Sequence, residues 1–420
     1  MTLIKTSVLN GIAVVIKMLA MLGINKVLAL YVGPAGYAAI GQFQNAIQMV
    51  TMMASGAINN GVTKYTAEYE DDILRQRALW RTAGTIVLFG SVAMAVLIAW
   101  FREELGARFL GIARQGDIFL WFAVNLLAFT GNAFLLAILN GRLEIRRYVL
   151  ANIFGSLFAF VVVALMTIKM GLYGALVSLA IYQSLPFFVT LLVVLRVPRV
   201  HLAYLYGKVD REIALNLMKY AGMAVTAALC APLSQMVIRS QITAQAGAIE
   251  AGYWEALTRM SAAYLLFVTT TLSVYYLPKL SSLKDAASLR HEIVQGYKTI
   301  LPLTVLFGVG IFLCRDIIIA LLFSADFYAV RELVAIQVLG DSLKIGSWIL
   351  SYLMLSKAMT GAFIFTELGF AITLVASSVA LIGRFGATGA IIAYAANYAL
   401  YWVVVYLITR HLMAKNNNAE

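Results

Sequence analysis

The stretch LNGIAVVIKMLAMLGINKVLALY, residues 9–31, sets the fold class of this chain. About 20 apolar residues are enough for one helical crossing of a bilayer, and this stretch meets that length. It nevertheless carries Lys17 near its middle and Lys26 near its far end. An ammonium at membrane depth costs about 2.5 kcal/mol or more, so it usually faces protein or a water-filled cavity. Lys17 is therefore a candidate functional position, whereas Lys26 can also extend its aliphatic stem to the headgroups.

The composition of the whole chain agrees with a polytopic membrane protein. Of its 420 residues, 62% are hydrophobic and only 12% are charged, against about 25% charged in a typical soluble domain. The net charge of +12 would suggest nucleic acid in a soluble protein. Here the excess lies mostly in loops on one side of the predicted membrane, so topology explains it and no nucleic-acid partner is expected.

Motifs for covalent chemistry are missing from the sequence. It contains no phosphate-binding loop, dinucleotide fingerprint or nucleophile elbow, and its Cys and His residues lack the spacing of a metal site. The sequence therefore predicts a protein that is not an enzyme, with no catalytic residues, no cofactor and no metal.

Windowed hydropathy predicts twelve membrane spans. We expect an all-α membrane protein whose twelve transmembrane helices form two six-helix bundles around a central cavity. The predicted spans are residues 9–31, 37–63, 78–100, 117–140, 148–168, 173–195, 216–239, 253–277, 298–314, 331–356, 361–382 and 387–410.

The loop charges predict the orientation. The termini and the connections after even-numbered spans hold 16 Lys and Arg residues, against 6 in the other connections. Cationic loops stay in the cytoplasm, so both termini should be cytoplasmic.

The longest central connection divides the spans into six plus six. We therefore expect an N-terminal bundle at 1–200, a cytoplasmic linker at 201–215 and a C-terminal bundle at 216–420. The Gly-Tyr pairs that open spans 2 and 8, at Tyr37 and Tyr253, are 216 positions apart, and Lys64 and Lys279 are 215 apart. This offset predicts a parallel internal repeat, as in transporters built from two halves.

Span 2 carries an unusual row of polar side chains. Their spacing of three or four positions places them on one helical face, which should turn away from lipid because an amide there would be unsatisfied. Such a face either joins helices to each other or lines a wetted cavity, and for the whole row we favour the cavity. The row consists of Gln44, Gln48, Thr51, Ser55 and Asn59, and Asn125, Asn132 and Asn140 form a similar face on span 4.

The second half contains more charge. Glu255 and Arg259 are four residues apart on span 8, and Asp341 and Lys344 are three apart on span 10, so each pair can form an ion pair within its helix. Glu367 has no partner in sequence and is either a protonatable group or a hydrogen-bonded structural carboxyl.

The sign of the buried charge differs between the halves. Spans 1 and 2 contain lysines without an acid, and uncompensated cations in a low-dielectric cavity attract anions. An exporter of lipophilic cations would need carboxylates there, so an anionic group such as a pyrophosphate fits better. Lys219 and Arg239, near the two ends of span 7, are expected to snorkel.

Four segments resemble one family, the Wzx-type polysaccharide repeat-unit flippases, which includes those for O-antigen units and for lipid III. They are VGPAGYAAIGQFQNAI, GAINNGVTKYTAEY, SVYYLPKLSSL and VLGDSLKIGSWILSYLMLSK, and the likeness extends over nearly the whole chain. The resemblance implies a member of the multidrug/oligosaccharidyl-lipid/polysaccharide exporter superfamily in the bacterial inner membrane. It also implies an undecaprenyl-pyrophosphate-linked glycan as substrate, moved to the periplasmic leaflet.

The resemblance also implies roles for the residues singled out above. Lys17, with Lys26 and Lys64, would hold the pyrophosphate. Polymerase and chain-length regulator proteins would be candidate partners beside membrane lipid. Ala263 replaces an acidic residue of the lipid III members, and Arg259 has no counterpart there, which favours an O-antigen unit. Sugar-contacting candidates are Gln44, Gln48, Asn59, Asn132 and Arg259, and coupling or gating candidates are Asp341, Lys344 and Glu367.

Two alternatives stay open at this point. A cation-coupled multidrug exporter of the same superfamily would need an essential acid where spans 1 and 2 offer lysines and amides. A glycan polymerase or ligase would need a large periplasmic loop. The longest non-cytoplasmic connection here is only about 16 residues long, which disfavours this alternative.

Overall fold

The computed structural model describes residues 3–110, 116–142, 144–197, 200–283, 285–357 and 359–417. Regular structure in these ranges is entirely helical. The helices are α1 (Leu3–Ala54), α2 (Asn59–Glu68), α3 (Ile73–Trp100), α4 (Arg102–Leu105), α5 (Gly116–Gly141), α6 (Ile145–Ile181), α7 (Leu185–Leu195), α8 (Arg211–Ala246), α9 (Ala248–Thr271), α10 (Leu277–Ser282), α11 (Ala286–Leu313), α12 (Arg315–Leu322), α13 (Val334–Ser356) and α14 (Thr360–Asn417). Two 3₁₀ segments, Leu202–Tyr204 and Ala325–Glu332, and two π segments, Gly106–Leu110 and Leu272–Tyr276, connect them.

Six helical stretches of the described residues are long and apolar enough to cross a membrane, or seven if the bent pair Ala325–Glu332 and Val334–Ser356 is one span. Three of the six are 40, 51 and 51 residues long, about twice what one crossing needs. Each of these three is interrupted by one glycine with non-helical backbone angles. Division at these glycines gives six segments. Together with α3, α5, α8, α9, α11 and α13, the described helices then supply one segment for each of the twelve predicted spans.

Several span boundaries differ from the hydropathy prediction. The second span ends at Ala54, where α1 stops, and not at residue 63. The seventh belongs to α8, which is 36 residues long, and the ninth belongs to α11, which begins at Ala286 and not at 298. In the seventh and ninth spans, polar residues at the helix ends lower the local hydropathy without ending the helix. The second span is shorter than predicted because Gly56 and Ala57 have positive φ and turn the chain.

The glycine breaks repeat along the chain. Gly33 has φ 70° and ψ 176°, and Gly247, between α8 and α9, has φ 93° and ψ 162°. Gly171 has φ 57° and ψ −138°, and Gly386 has φ 56° and ψ −138°. The members of these pairs are 214 and 215 positions apart. The backbone thus repeats its unusual angles at the offset that the Gly-Tyr and Lys pairs predicted.

The chain forms two compact units, which we call unit 1 and unit 2. Unit 1 comprises Met1–Val32 and Ala39–Pro232, and unit 2 comprises Gly33–Ala38 and Leu233–Glu420. The short segment Gly33–Ala38 therefore packs with unit 2 although α1 otherwise belongs to unit 1. These bounds differ from the predicted linker at 201–215, because α8 begins at Arg211 and its first two thirds belong to unit 1.

The central connection packs tightly onto unit 1. Tyr204 lies against the guanidinium of Arg77, 4.2 Å from the ring centroid. Thr85 donates a hydrogen bond to the carbonyl of Gly207 at 2.9 Å. A methyl group on Gly84 would lie 1.8 Å from the carbonyl oxygen of Leu205. The connection is therefore a fixed part of unit 1 up to α8.

Each unit has its own apolar core. In unit 1, α3, α5 and α7 supply Leu79, Leu139 and Val194, which are fully buried. In unit 2, α9, α11, α13 and α14 supply the corresponding cluster, with Ile345, Ile349 and Met354 fully buried. These cores fix the helices that carry the polar residues described next.

Candidate functional site

A cavity of about 350 Å³ lies inside unit 1. Most of its polar lining comes from the predicted row on span 2, and none of the lining residues is charged. Amides and hydroxyls both donate and accept hydrogen bonds, as sugar hydroxyls do. The lining residues are Gln44, Ile47, Gln48, Thr51, Met52, Ser55, Asn59, Phe129, Leu179, Tyr182 and Gln183.

The backbone that carries the row differs from the single helix that was predicted. A single helix through residue 63 would carry all five members, but α1 ends at Ala54. Gly56 (φ 61°) and Ala57 (φ 53°) turn the chain before α2 begins at Asn59. The turn still brings Asn59 to the cavity that Gln44 and Gln48 line.

Within the row, hydroxyl and amide groups differ in their hydrogen bonds. Thr51 and Ser55 donate to carbonyl groups of their own helix, at 2.7 and 3.2 Å. Gln48 is exposed at the cavity, and the buried Oδ1 of Asn59 has no hydrogen-bond partner among the described residues. Gln48 and Asn59 therefore each have a polar group available to a ligand.

The asparagines of span 4 are not part of the cavity lining. Asn125 bonds the carbonyl of Trp121 and accepts from Ser184 at 2.8 Å, so it joins helices. The Oδ1 of Asn132 is buried without a partner among the described residues. For Asn125 the helix-joining interpretation is confirmed.

The lysines of unit 1 occupy different environments. Lys17 is exposed, with no ion pair to a described residue, and Lys26 is half-buried. Lys64 lies on α2, where its ammonium is 3.9 Å from the carboxylate of Glu68 and 5.0 Å from the ring centroid of Tyr65. None of the three lines the 350 Å³ cavity.

In unit 2, two arginines share one buried carboxylate. Arg259 donates from Nε to Glu255 at 2.6 Å, as its spacing predicted, and Arg239 bonds the other carboxylate oxygen. Arg239 is 2% exposed, so the prediction that it snorkels is wrong. The side chain of Lys219 lies outside the described residues. The cluster carries one net positive charge.

Aromatic rings cover this cluster. The guanidinium of Arg259 lies 4.6 Å from the ring centroid of Tyr37, and that of Arg239 lies 5.3 Å from Trp254. Cations are attracted to the faces of such rings, more strongly where water is excluded. Tyr37 follows the Gly33 break, so the cluster also holds the segment Gly33–Ala38 within unit 2.

Asp341 is fully buried, and its charge interacts with that of Lys344, but no direct ion pair joins the two among the described residues. Instead its carboxylate accepts hydrogen bonds from the hydroxyls of Ser261, Tyr264 and Tyr394 and from the amide of Gln337. Four neutral donors satisfy this anion, as a buried charge requires.

Lys344 turns to aromatic rings. Its ammonium lies 4.8 Å from the centroid of Trp348 and 5.8 Å from that of Tyr398. Glu367 interacts electrostatically with Lys344. Because the two residues are 23 positions apart and on different helices, sequence spacing gave no signal for this interaction.

Other contributors were not among the predicted site residues. Tyr182 and Gln183 line the unit 1 cavity just after α6, and their only sequence signal is a polar interruption in an apolar run. Tyr264 and Tyr394 hydrogen-bond Asp341 from helices distant in sequence. Aromatic residues are so frequent in this chain that no pattern distinguished them.

Comparison with known proteins places the chain among polysaccharide biosynthesis proteins, whose family model matches residues 27–332. It is 32% identical over 415 residues to the lipid III flippase of Escherichia coli (strain K12), covering 98% of this chain and 99% of that protein. The lipid III flippase of Shigella flexneri matches equally well.

Solved structures share the fold. An inward-facing multidrug resistance MATE family transporter of the MOP superfamily superposes with a TM-score of 0.79 at 14% identity, covering 96% of each chain. A MOP superfamily transporter from Pyrococcus furiosus, described as having a binding pocket of reverse polarity, gives 0.70 at 15% identity over 99% and 96%. The predicted fold class, an all-α membrane protein with twelve transmembrane helices, is confirmed by this likeness.

Proposed function

Since this chain belongs to the family of polysaccharide biosynthesis proteins, we propose that it is a flippase for a lipid-linked oligosaccharide. The full-length similarity to proteins named lipid III flippase supports this proposal. One observation carries it in the chain itself: the uncharged, amide-lined cavity inside unit 1. A transporter of a glycan needs such hydrogen-bonding groups, and no covalent step is required.

The size of the cavity matches a sugar ring. A water molecule occupies about 30 Å³ in the liquid, so the cavity has room for roughly 12 atoms of that size. A hexose has that many non-hydrogen atoms. Gln44, Gln48 and Asn59 would hydrogen-bond the ring, while Phe129 and Tyr182, whose centroids are 6.3 Å apart, would contact its apolar face.

The substrate would be an undecaprenyl-pyrophosphate-linked unit, either an O-antigen repeat or lipid III. Lys17, supported by Lys26 and Lys64, would bind the pyrophosphate, because each ammonium supplies a positive charge and three donors. The cluster of Arg239, Glu255 and Arg259 would add a fixed positive charge. Transport would run from the cytoplasmic to the periplasmic leaflet by alternating access of the two halves of the chain, with both termini cytoplasmic.

Asp341, Lys344 and Glu367 would form the coupling or gating group. Asp341 accepts hydrogen bonds from four donors, so its position would stay fixed. Lys344 interacts through its charge with both Asp341 and Glu367, so it would be the residue that changes partner. A polysaccharide polymerase and a chain-length regulator would be the protein partners.

The pyrophosphate role of Lys17 can be tested by complementation. Lys17→Ala, Lys17→Gln and Lys17→Arg would be expressed at matched levels in a flippase-deficient strain, and surface polysaccharide measured. We expect loss with Ala and Gln and partial retention with Arg, which keeps the charge. Full activity of all three variants would exclude Lys17 as the anchor.

Depletion of the protein tests the proposed substrate directly. Lipid-linked oligosaccharide should accumulate in the inner membrane, and its mass should identify the sugar unit. A multidrug exporter would instead change dye efflux and leave these lipids unchanged. The cavity lining contains no acid that would favour a cationic drug, so we expect the first result.

A further inference from the structure

A second cavity lies in unit 1 between α6 and α7, and its lining is entirely apolar. It is a groove of about 610 Å³. Its floor is built from Ala151, Gly155 and Pro186, and Phe154, Phe158 and Val161 project beside it. These three side chains are 61%, 45% and 48% exposed. The groove therefore offers a recessed apolar surface on the outside of unit 1.

The groove and the polar cavity adjoin the same short piece of chain. Tyr182 and Gln183 line the polar cavity, and Leu185 and Pro186 line the groove. Only Ser184 separates the two pairs, and it is buried and hydrogen-bonded to Asn125 and to the carbonyl of Ile181. One fixed turn thus connects a site for hydrogen-bonding groups to a site for hydrocarbon.

A lipid-linked glycan has this same combination of parts. We infer that the groove between α6 and α7 binds the isoprenoid chain of the substrate while the sugar occupies the polar cavity. This inference rests on the proposed function. It assigns the tail to a site on unit 1, whereas a tail free in the bilayer would need no groove.

The groove volume sets the length of chain that it can hold. At about 30 Å³ for each atom of the size of water, 610 Å³ accommodates roughly 20 carbons, or about four isoprene units. The rest of a longer chain would stay in lipid. Affinity should therefore rise with chain length up to that point and then level off, because carbons beyond the groove make no further packing contacts with it. A tail that leaves lipid for the groove loses no exposure to water, so the gain comes from these contacts and not from the hydrophobic effect.

The location suits loading from the cytoplasmic leaflet. In the proposed orientation, the start of α6 and the end of α7 are cytoplasmic. The groove residue Ala151 is six residues after the start of α6, and Val189 is six before the end of α7. At 1.5 Å for each helical residue, both lie about 9 Å from those ends. The cytoplasmic end of the groove is therefore in the leaflet where the lipid-linked unit is made, and Val161, about 24 Å from the start of α6, marks its other end deeper in the membrane.

Filling the groove tests this inference. Gly155→Phe places a ring where a methyl group would already lie 3.5 Å from Pro186. The purified full chain, in nanodiscs, would be titrated with farnesyl, geranylgeranyl and undecaprenyl phosphates. We expect wild type to bind the second and third similarly and the first more weakly. Gly155→Phe should bind undecaprenyl phosphate about tenfold more weakly, since losing roughly ten atom contacts of about 0.1–0.2 kcal/mol each has that effect.

The matched control is Leu165→Phe, which adds the same ring to an exposed position of α6 outside the groove. It should bind as wild type does. Val161→Phe, at the groove edge, is a second filling variant in case Gly155→Phe lowers the unfolding temperature. Equal binding by wild type and both filling variants would overturn the inference, as would displacement of the probe by phosphatidylglycerol. Absence of undecaprenyl phosphate binding to wild type would instead count against the proposed function.

Discussion

At the residue scale, Glu255 supplies the counter-charge that stabilises two buried arginines. Its carboxylate bonds Arg239 and Arg259, and the exposures of the two arginine side chains are 2% and 13%. The sequence predicted the pair with Arg259 because the two residues are four apart on one helix. It could not predict Arg239, which lies on α8 beyond the Gly247 break, since only the tertiary fold brings the two helices together.

The Glu255→Gln variant should be strongly destabilised. It keeps the shape of the side chain but leaves two guanidinium groups without a counter-charge, and breaking a buried pair in this way costs about 3–5 kcal/mol. Thermal unfolding in detergent measures the effect as a lower midpoint.

The control is Glu68→Gln, because Glu68 pairs with Lys64 at 3.9 Å on an exposed face. Exposed pairs contribute about 0–1 kcal/mol, so this variant should unfold near the wild-type temperature. Equal shifts in the two variants would contradict the structural role of Glu255.

At the element scale, the first long helix is divided by its contacts as well as by its backbone. Gly33 adopts φ 70° and ψ 176°, a conformation that is essentially restricted to glycine. Beyond it, Pro34 lies on α9 so closely that a methyl group on Gly252 would be 2.0 Å from the Pro34 carbonyl oxygen. Tyr37 then packs edge-on against Phe327, with centroids 5.4 Å apart.

Substitution of Gly252 tests this packing. Gly252→Ala must push the Pro34 backbone away, and overpacking of this kind costs about 1–3 kcal/mol. We expect a lower unfolding temperature and weaker complementation. Gly369→Ala is the matched control, because that glycine is helical with no atom within 4 Å of the added methyl group. The control should be neutral or slightly stabilised, by up to about 1 kcal/mol. A stable Gly252→Ala protein would show that this close contact is unimportant.

At the scale of the whole molecule, hydropathy was sufficient to predict the helical membrane fold and the number of spans. The offset of about 215 residues was also visible, in the Gly-Tyr and Lys pairs, and the glycine angles repeat it. The continuation of α6 and α14 past Gly171 and Gly386 was not predictable. Lys169 and Arg384 interrupt the apolar runs beside these glycines, and hydropathy therefore places a connection at each.

The candidate site was only partly predictable from the sequence. The row from Gln44 to Asn59 was found from helical spacing, and all five of its members line the cavity. The turn at Gly56 that brings Asn59 there was not predicted, and neither were the contributions of Tyr182 and Gln183. These depend on backbone geometry and on contacts between elements that no local pattern records.

The central claim is that the unit 1 cavity binds the sugar part of a lipid-linked glycan. The most direct test measures transfer of the accumulated glycolipid across inner-membrane vesicles for Gln48→Leu, beside Gln295→Leu, an exposed glutamine on α11 outside the cavity. Loss of one hydrogen bond of about 1 kcal/mol predicts transfer at least about fivefold slower for Gln48→Leu, with Gln295→Leu unchanged. Wild-type transfer by Gln48→Leu, at equal protein levels, would contradict the account.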